Sequence, residues 1–452
     1  MENASIDKNL QVTISYKAIL KTALPISLSI LVPQINFITN NIFLGQLSVQ
    51  ALAVAGITGV YYLVFAVLGF GLNNGFQMVV ARRAGENRPE EIGNLFNQGA
   101  FIALAFAAAG IIITYFIAPA ILRLSLSEPQ HVQMAEGFLY IRIWGLPLLY
   151  IFHIRNGVLI GTNQSKLLII GAIAETVANI LLDYGFIFGH FGLPQLGFNG
   201  AAVASVISEG IGLAAVAFVM NATKINHRFQ LLRNIRFDKD AAKLILVRSA
   251  PLMLQFVISV SSWEFFYILI EHHGERALAI SNCMRNIFGL FGCVTWAFAA
   301  TTSTMVSNVI GQNLQHRVKE LIYKILRLSV GFALIIFILL NISPAFLLQA
   351  YNQGDAFITE AIPVVRVVSA ALIIMSVSVV WLNSVTGTGN TRINLQIEIL
   401  AIILYCIYAY YILQKLNYPI TWGWAAEWLY WLTILIPSFF YIQNGKWKNK
   451  RF

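Results

Sequence analysis

Residues 97–119 read NQGAFIALAFAAAGIIITYFIAP, an apolar run without a charged side chain. A helix of this length can cross the hydrocarbon core of a bilayer. The rest of the chain has the same character, since 58% of its 452 residues are hydrophobic and 11% are charged. Soluble proteins carry about 25% charged residues, and outer-membrane barrels alternate apolar with polar positions. The sequence therefore predicts an all-α polytopic membrane protein and excludes a soluble enzyme, a disordered chain and a barrel.

Twelve apolar runs of this kind divide the chain into two sets of six. The first set lies at about 24–44, 53–80, 97–119, 136–160, 167–190 and 197–221; the second lies at about 246–270, 279–308, 322–350, 361–385, 393–414 and 420–442. The second and eighth runs are long enough to extend beyond the bilayer. The first residues lack the charged start, short apolar core and cleavage site of a removable signal peptide. We therefore expect twelve transmembrane helices, the first of which directs insertion.

Basic residues are concentrated on one side of this arrangement. The N-terminus, the loops near 81–96, 161–166, 222–248, 311–327 and 387–392, and the tail from 443 hold 23 Lys and Arg, whereas the opposite loops hold three. Because cytoplasmic loops carry an excess of Lys and Arg, both termini are predicted to be cytoplasmic. The net charge of +10 follows from this asymmetry and gives no reason to expect a nucleic-acid partner.

A constant shift of half the chain length aligns the two sets of runs. It places Pro25 on Pro251, Gly161-Thr162 on Gly387-Thr388, and Gly197 on Gly423. Six spans are an even number, so the two halves have the same orientation, as in the parallel repeats of many secondary transporters. We expect an N-terminal lobe at 1–221, a cytoplasmic linker at 222–245 and a C-terminal lobe at 246–452.

Ionisable side chains inside a span are functional candidates because they are expensive to bury in a membrane. Asp183 is the strongest candidate, since Glu175, Asn179 and Asp183 are spaced by four residues and share one helical face. Further polar side chains lie on the first and sixth spans: Gln34, Asn36, Asn40, Ser205 and Glu209. These groups could surround Asp183 with oxygen ligands for Na⁺, or burial could make it a proton acceptor. The alternative is a polar cluster that only holds helices together.

Pro33 lies in the middle of the first span, where it removes a backbone hydrogen bond and can bend the helix. The second half lacks the polar cluster, because the positions matching Asn40, Asn179, Asp183, Ser205 and Glu209 are Phe266, Tyr405, Ala409, Trp431 and Leu435. The ion chemistry is therefore predicted to lie in the N-terminal lobe.

The second half carries charged side chains of its own. Glu264 and Arg285 either form an internal ion pair or leave Glu264 free to neutralise a cationic substrate beside Trp263. Arg142, in the first half, lies near an outer helix end and is expected to extend to the interface. Glu398 and Glu427 are weaker candidates. No phosphate-binding Gly-rich loop, H-E-x-x-H pair, G-x-S-x-G turn or channel filter occurs, so we expect neither an enzyme nor a cofactor other than a coupling ion.

Four stretches together resemble the multidrug and toxic compound extrusion (MATE) family. They are LPISLSILVPQINFITNNIFLGQLSVQALAVAG at 24–56, NILLDYGFIFGHFGLPQLGFNGAAVAS at 179–205, the paired loops GTNQSK at 161–166 and GTGNTR at 387–392, and VSNVIGQN at 306–313. The resemblance covers the whole chain. It implies a V-shaped, two-lobed antiporter of a bacterial inner membrane, in which inward Na⁺ or H⁺ drives organic, often cationic compounds outward.

The resemblance also implies roles for particular residues. In the branch similar to the DNA-damage-inducible members, an Asp on the first span joins an Asn and an Asp on the fifth and a Thr on the sixth. Asn179 and Asp183 match that set, Ser205 keeps the hydroxyl, Asn40 replaces the first-span Asp, and Asn156 resembles a further cavity amide. In the norfloxacin-exporter branch a seventh-span Glu matters. Glu264 matches it, but its tenth-span Asp partner is absent.

The sequence thus predicts a monomeric, cation-coupled exporter of drugs or organic cations, with Na⁺ or H⁺ at Asp183, Asn179, Asn40 and Ser205. The substrate cavity or a second coupling site is predicted to include Glu264, Asn36, Gln34, Asn156, Glu209, Glu175 and Arg285. The main alternative is a flippase for lipid-linked oligosaccharides from the same superfamily. A membrane-embedded transferase would need a catalytic cluster, and a major-facilitator transporter would need a Gly, Asp and basic pattern that VARRAGENRPEEI at 80–92 lacks.

Overall fold

The computed structural model describes residues 10–126, 128–233, 235–349, 351 and 353–449, and within them it contains helices and no strand. Twelve of the described helices are long and apolar enough to span a membrane. They are α1 Tyr16–Leu47, α2 Gln50–Gly85, α3 Pro89–Ser125, α4 Pro129–Gly161, α5 Ser165–Phe188, α6 Phe198–Ala222, α7 Lys239–Glu271, α8 Glu275–Gly311, α9 Gln315–Ile342, α10 Asp355–Gly387, α11 Thr391–Lys415 and α12 Ile420–Gln443. The prediction of an all-α protein with twelve spans is confirmed.

Several helices begin well before the apolar run that predicted them. Tyr16, Pro129 and Lys239 open α1, α4 and α7, seven or eight residues earlier than the runs at 24, 136 and 246. The backbone hydrogen bonds of a helix continue into the polar interface, where hydropathy no longer marks it. The segment between α6 and α7 is therefore shorter than the predicted linker. The long second and eighth spans are confirmed, at 36 and 37 residues.

The segment between α6 and α7 is attached to α3 by side-chain amides. Asn97 Nδ2 donates to the Arg233 carbonyl (3.1 Å), Gln98 Nε2 to the Arg236 carbonyl (2.8 Å), and Asn94 Nδ2 to Asp238 Oδ2 (2.6 Å). Asp238 also accepts the backbone N–H of Ala241 (3.1 Å). The hydrogen bonds from the Ala241 N–H and, secondarily, from the Asn94 amide hold the pKa of the Asp238 carboxyl below its usual range. Their stabilisation is complete above the unfolded-state pKa and is lost as the pH falls through the folded-state value.

Helices α5 and α6 pack closely because small residues lie where they meet. A Cβ placed on Gly200 would lie 2.5 Å from the carbonyl oxygen of Phe186, and one on Gly171 would lie 2.3 Å from Val216 Cγ2. Neither position has room for a larger side chain without separating the helices. Small residues of this kind let helix backbones approach closely in membranes. This close contact brings the polar face of α5 against α6.

The contacts divide the described chain into two units. The N-terminal unit consists of Leu10 and Leu28–Met253, and the C-terminal unit consists of Gln11–Ser27 and residues 254–449. The C-terminal unit has a continuous apolar core to which α8 and α10 contribute most. The division differs from the sequence expectation in two respects. The first part of α1 belongs with the C-terminal half, and the first part of α7, through Met253, belongs with the N-terminal half.

The segment before α1 is held within the C-terminal unit by hydrogen bonds to its backbone. The Val12 N–H donates to Asn308 Oδ1 (3.0 Å), and Gln312 Nε2 donates to the Val12 carbonyl (3.0 Å). Lys324 Nζ donates to the carbonyl of Ile14 (3.0 Å). Backbone groups of an extended segment have no helical partners, so these side chains satisfy them.

Candidate functional site

Asp183 and Asn179 lie on the buried face of α5. That face follows the helical period, and its side chains are Gly171, Ala172, Thr176, Asn179 and Asp183. Asp183 is 0% exposed and Asn179 is 1% exposed. The predicted shared face is therefore present, and Glu175 at its edge is half-buried. A carboxylate at this depth requires compensation from polar neighbours or a bound cation.

Asn179 connects the groups around this carboxylate. In the amide orientation that gives both ends a partner, Nδ2 donates to Asn36 Oδ1 (2.5 Å) and Asp183 Oδ2 (3.1 Å). Its Oδ1 accepts from the backbone N–H of Ser205 (3.3 Å) and from Ser208 Oγ (3.2 Å), a hydroxyl whose single proton is shared with the Ser205 carbonyl (2.9 Å). One amide therefore links α1, α5 and α6, as the sequence predicted for these three helices.

Asp183 keeps one carboxylate oxygen for another ligand. Its Oδ1 is buried and has no hydrogen-bond partner among the described residues. An oxygen of this kind can accept a proton or coordinate a hard cation, for which amide and hydroxyl oxygens are also suitable ligands. The described residues hold no group of three or more His, Cys, Asp and Glu side chains that could bind a metal ion.

The residues that contact Asn179 differ in part from those predicted. Asn36 reaches it from α1, whereas Asn40 makes no described hydrogen bond to Asp183, and its own buried Oδ1 has no partner among the described residues. Ser205 contributes its backbone N–H, and the hydroxyl that bonds comes from Ser208. The sequence reasoning missed Ser208, although its three-residue spacing from Ser205 places both on one face of α6.

Glu209 forms a buried ion pair with Arg142. Arg142 Nη1 and Nη2 donate to the two Glu209 oxygens at 3.0 and 2.5 Å, and the side chains are 13% and 5% exposed. The guanidinium also lies 3.8 Å from the ring centroid of Tyr62, whose hydroxyl donates to Glu209 Oε1 (3.4 Å). The expectation that Arg142 extends to the interface is wrong, because a buried carboxylate on α6 binds its guanidinium.

The other predicted residues of the first half are more dispersed. Glu175 packs against Gly212, where an added Cβ would lie 2.9 Å from Glu175 Cβ. Asn156 has a buried Oδ1 without a described hydrogen-bond partner, and Gln34 is half-buried. Pro33 lies inside α1, which is helical on both sides of it. The described contacts do not join Gln34 or Asn156 to the Asp183 cluster.

Arg285, in the C-terminal unit, interacts with aromatic rings. Its guanidinium lies 5.6 Å from the Trp263 ring centroid and 5.3 Å from that of Tyr267, a cation–π arrangement. Among the described residues it forms no ion pair with Glu264, which is half-buried. Of the two interpretations that the sequence allowed, the described residues therefore do not show the Glu264–Arg285 ion pair.

Twelve spans, a duplicated sequence and a buried polar cluster around a carboxylate are the features of a helical membrane transporter. The MatE family profile matches residues 25–185 and 251–444, which together make up most of the chain. The protein belongs to the multidrug and toxic compound extrusion family, as its motifs indicated. The two matched segments begin at positions 25 and 251, which the shift that aligns the halves of the sequence brings together.

Relatives support the same assignment. The chain is 22% identical over 445 residues to a protein of Thermotoga maritima named probable multidrug resistance protein NorM, with 96% of this chain and 93% of that protein covered. A protein of the same name from Rhizobium meliloti is 24% identical over 397 residues, 86% of this chain and 84% of that protein. A solved Pyrococcus furiosus structure, described as a MOP superfamily transporter whose binding-pocket polarity suggests a different function, superposes with a TM-score of 0.89 at 16% identity, covering 100% of both chains. That likeness concerns the fold.

Proposed function

We propose that the protein is a secondary active exporter that moves organic, often cationic compounds outward in exchange for inward Na⁺ or H⁺. Asp183 is the coupling carboxylate, with its free buried Oδ1 as the observation that carries the assignment. Family membership and the names of the relatives from two bacteria support multidrug efflux as the activity. The site of action is a bacterial inner membrane, with both termini on the cytoplasmic side.

Asn179 couples the occupancy of Asp183 to helix α1. A proton or Na⁺ at Asp183 changes the strength of the hydrogen bond that Asp183 Oδ2 accepts from Asn179 Nδ2. The same nitrogen donates to Asn36. Pro33 lies three residues before Asn36, where its missing N–H lowers the resistance of α1 to bending. Binding of the cation therefore favours one arrangement of α1. Coupling requires only that cation and substrate favour different states or compete.

Glu209 is a weaker coupling candidate than Asp183. Arg142 neutralises it within a bidentate ion pair, so it carries no free charge for a transported cation. We assign it a structural role in the N-terminal unit. Asp183 and the half-buried Glu175 are then the carboxylates of this cluster that have no described ion pair and can attract an organic cation.

The test is transport in proteoliposomes under separately imposed Na⁺ and pH gradients, with ethidium and norfloxacin as substrates. The Asp183→Asn variant keeps the shape and polarity of the side chain and removes its charge. We expect its gradient-driven export rate to fall at least about tenfold, which corresponds to a free-energy difference of about 1.4 kcal/mol. Glu360→Gln is the matched control, because that carboxylate is 51% exposed beside Arg276. It is expected to export at the wild-type rate.

A second pair of variants tests the positions that support Asp183. Ser208→Ala removes the hydroxyl that donates to Asn179, whereas Ser205→Ala leaves the backbone N–H of residue 205 in place. We expect the first to weaken export and the second to have little effect. Full export by Asp183→Asn would refute the role of Asp183. Export driven by neither gradient would refute antiport and favour the lipid-linked oligosaccharide flippase.

A further inference from the structure

Glu398 on α11 is a second buried carboxylate, located in the C-terminal unit. It is 2% exposed and accepts hydrogen bonds from two other helices. Ser259 Oγ on α7 donates to Oε1 (2.7 Å), and Gln255 Nε2, one turn earlier on α7, donates to Oε2 (3.3 Å). The Tyr430 hydroxyl on α12 also donates to Oε1. One carboxylate thus joins α7, α11 and α12.

Glu398 has no counter-charge in the described part of the chain. No described Lys, Arg or His forms an ion pair with it, in contrast to Glu209, which Arg142 neutralises. Three neutral donors compensate a buried charge only in part. An isolated carboxylate transferred to an apolar interior becomes neutral by taking up a proton when no cation is near. The surroundings of Glu398 therefore favour its protonated form.

The cluster can also accommodate the proton. Gln255 Oε1 is buried and has no described hydrogen-bond partner, so a rotated Gln255 amide presents an acceptor to a protonated Oε2. The hydroxyls of Ser259 and Tyr430 continue to donate to Oε1 in either state. Every bond between α7, α11 and α12 can persist, but the direction of the Gln255–Glu398 bond reverses. Both protonation states are structurally supported.

Other ionisable groups around the cluster do not supply a positive charge. On α12, Glu427 accepts Trp431 Nε1 (3.0 Å) one turn from Tyr430, and on α11 the Tyr405 ring centroid lies 5.7 Å from that of Tyr430. The phenols are neutral near pH 7, and a charge on Glu427 opposes one on Glu398. The basic residues nearest in sequence are Arg248 on α7, seven residues before Gln255, and the exposed Arg392 on α11, six residues before Glu398. Neither forms a described ion pair with Glu398, and α10 has no ionisable residue between 367 and 387.

We propose that Glu398 is a proton-binding site of the C-terminal unit, distinct from the Asp183 site. When the two halves of the sequence are aligned, Glu398 corresponds to Ala172 and Asp183 corresponds to Ala409. Glu398 therefore lies about 11 residues closer to the start of its helix than a repeat of Asp183 would, about 16 Å along the axis. The site is not a symmetry copy of the first one.

The experiment is infrared difference spectroscopy of the purified full-length protein during a pH titration. This method detects the C=O stretch of a buried carboxylic acid as it forms. We expect Glu398→Gln to remove one titrating acid band and to leave the band that Asp183→Asn removes. Glu360→Gln, at the exposed surface, is expected to remove no buried-acid band. Glu427→Gln is expected to leave the Glu398 band in place.

Tyr430→Phe and Ser259→Ala provide a second readout that keeps the carboxyl group. Each removes one donor to Oε1, so we expect the Glu398 band to shift in frequency and persist. If Glu398→Gln does not fold, these two variants test the proposal without it.

The proposal is overturned if Glu398→Gln leaves every titrating band unchanged, or if Tyr430→Phe and Ser259→Ala leave every band at its wild-type frequency. Loss of the band on adding Na⁺ at constant pH would also overturn it, because the ligand would then be Na⁺. The outcome for Asp183→Asn is read separately, so failure of one site leaves the other standing.

Discussion

At the scale of single residues, spacing in the sequence correctly identified Asp183 and Asn179 as one buried pair. Their four-residue separation fixes a common face on any helix, so the prediction needed no tertiary information. The partners Asn36 and Ser208 were not singled out for their contacts with Asn179, because the rotation of α1 and α6 decides which polar side chain reaches it. The Arg142–Glu209 pair was missed for the same reason, since 67 residues separate its members.

Removing one charge of the Arg142–Glu209 pair should destabilise the folded protein more than removing both charges. Arg142→Met leaves Glu209 buried without a counter-charge, and we expect a loss of about 3–5 kcal/mol in the free energy of unfolding. Arg142→Met combined with Glu209→Gln should recover most of that loss. The measurement is reversible unfolding of the purified protein in detergent.

The exposed pair Arg276–Glu360 is the control for this prediction. Its side chains are 52% and 51% exposed at 3.3 Å, so Arg276→Met should cost at most about 1 kcal/mol. Equal losses for the buried and the exposed pair would show that burial does not govern the energy of the Arg142–Glu209 interaction.

At the scale of helices, the number and type of elements followed from hydropathy, but their ends did not. The polar starts of α1, α4 and α7 lie outside the apolar runs and are stabilised by helix geometry and by local packing. Hydropathy also gives no information on which helices are neighbours. The close packing of α5 and α6 depends on small residues whose role is visible only with both helices in place.

Two glycines of α6 allow this packing to be tested on one helix. In Gly200→Ala the new methyl group would lie 2.5 Å from the Phe186 carbonyl oxygen, and we expect the helices to separate at a cost of about 1–3 kcal/mol. In Gly210→Ala the nearest atom is Leu148 Cδ1 at 3.7 Å, an ordinary contact. That variant should be as stable as the wild type or slightly more stable. Thermal unfolding in detergent measures both, and the same midpoint for the two variants would contradict the proposed contact.

At the scale of the whole molecule, the duplication was the most informative signal in the sequence. A constant shift of half the chain length predicted two related halves, and the two family matches, which begin at positions 25 and 251, have the same offset. The sequence could not predict that residues 11–27 belong to the C-terminal unit. A pattern of apolar and polar positions specifies that a segment is buried, but not which partner buries it.

The charge asymmetry gives a prediction of orientation for the whole chain. A green fluorescent protein fused after residue 452 should fluoresce in cells, because the C-terminus is predicted to be cytoplasmic. Alkaline phosphatase fused between α3 and α4 should be active, because that loop is predicted to face outward. The reverse pattern would show that the Lys and Arg side chains of the predicted inner loops do not set the topology.

The attachment of the first residues to the C-terminal unit has a consequence for biosynthesis. Val12 and Ile14 bond to residues that follow them in the sequence by 296 to 310 positions. At a translation rate of about 5–20 residues per second, the ribosome needs roughly 15–60 s to synthesise those partners. During that interval Val12 and Ile14 lack these hydrogen-bond partners. Residues 12–14 are therefore synthesised early and fixed in place late.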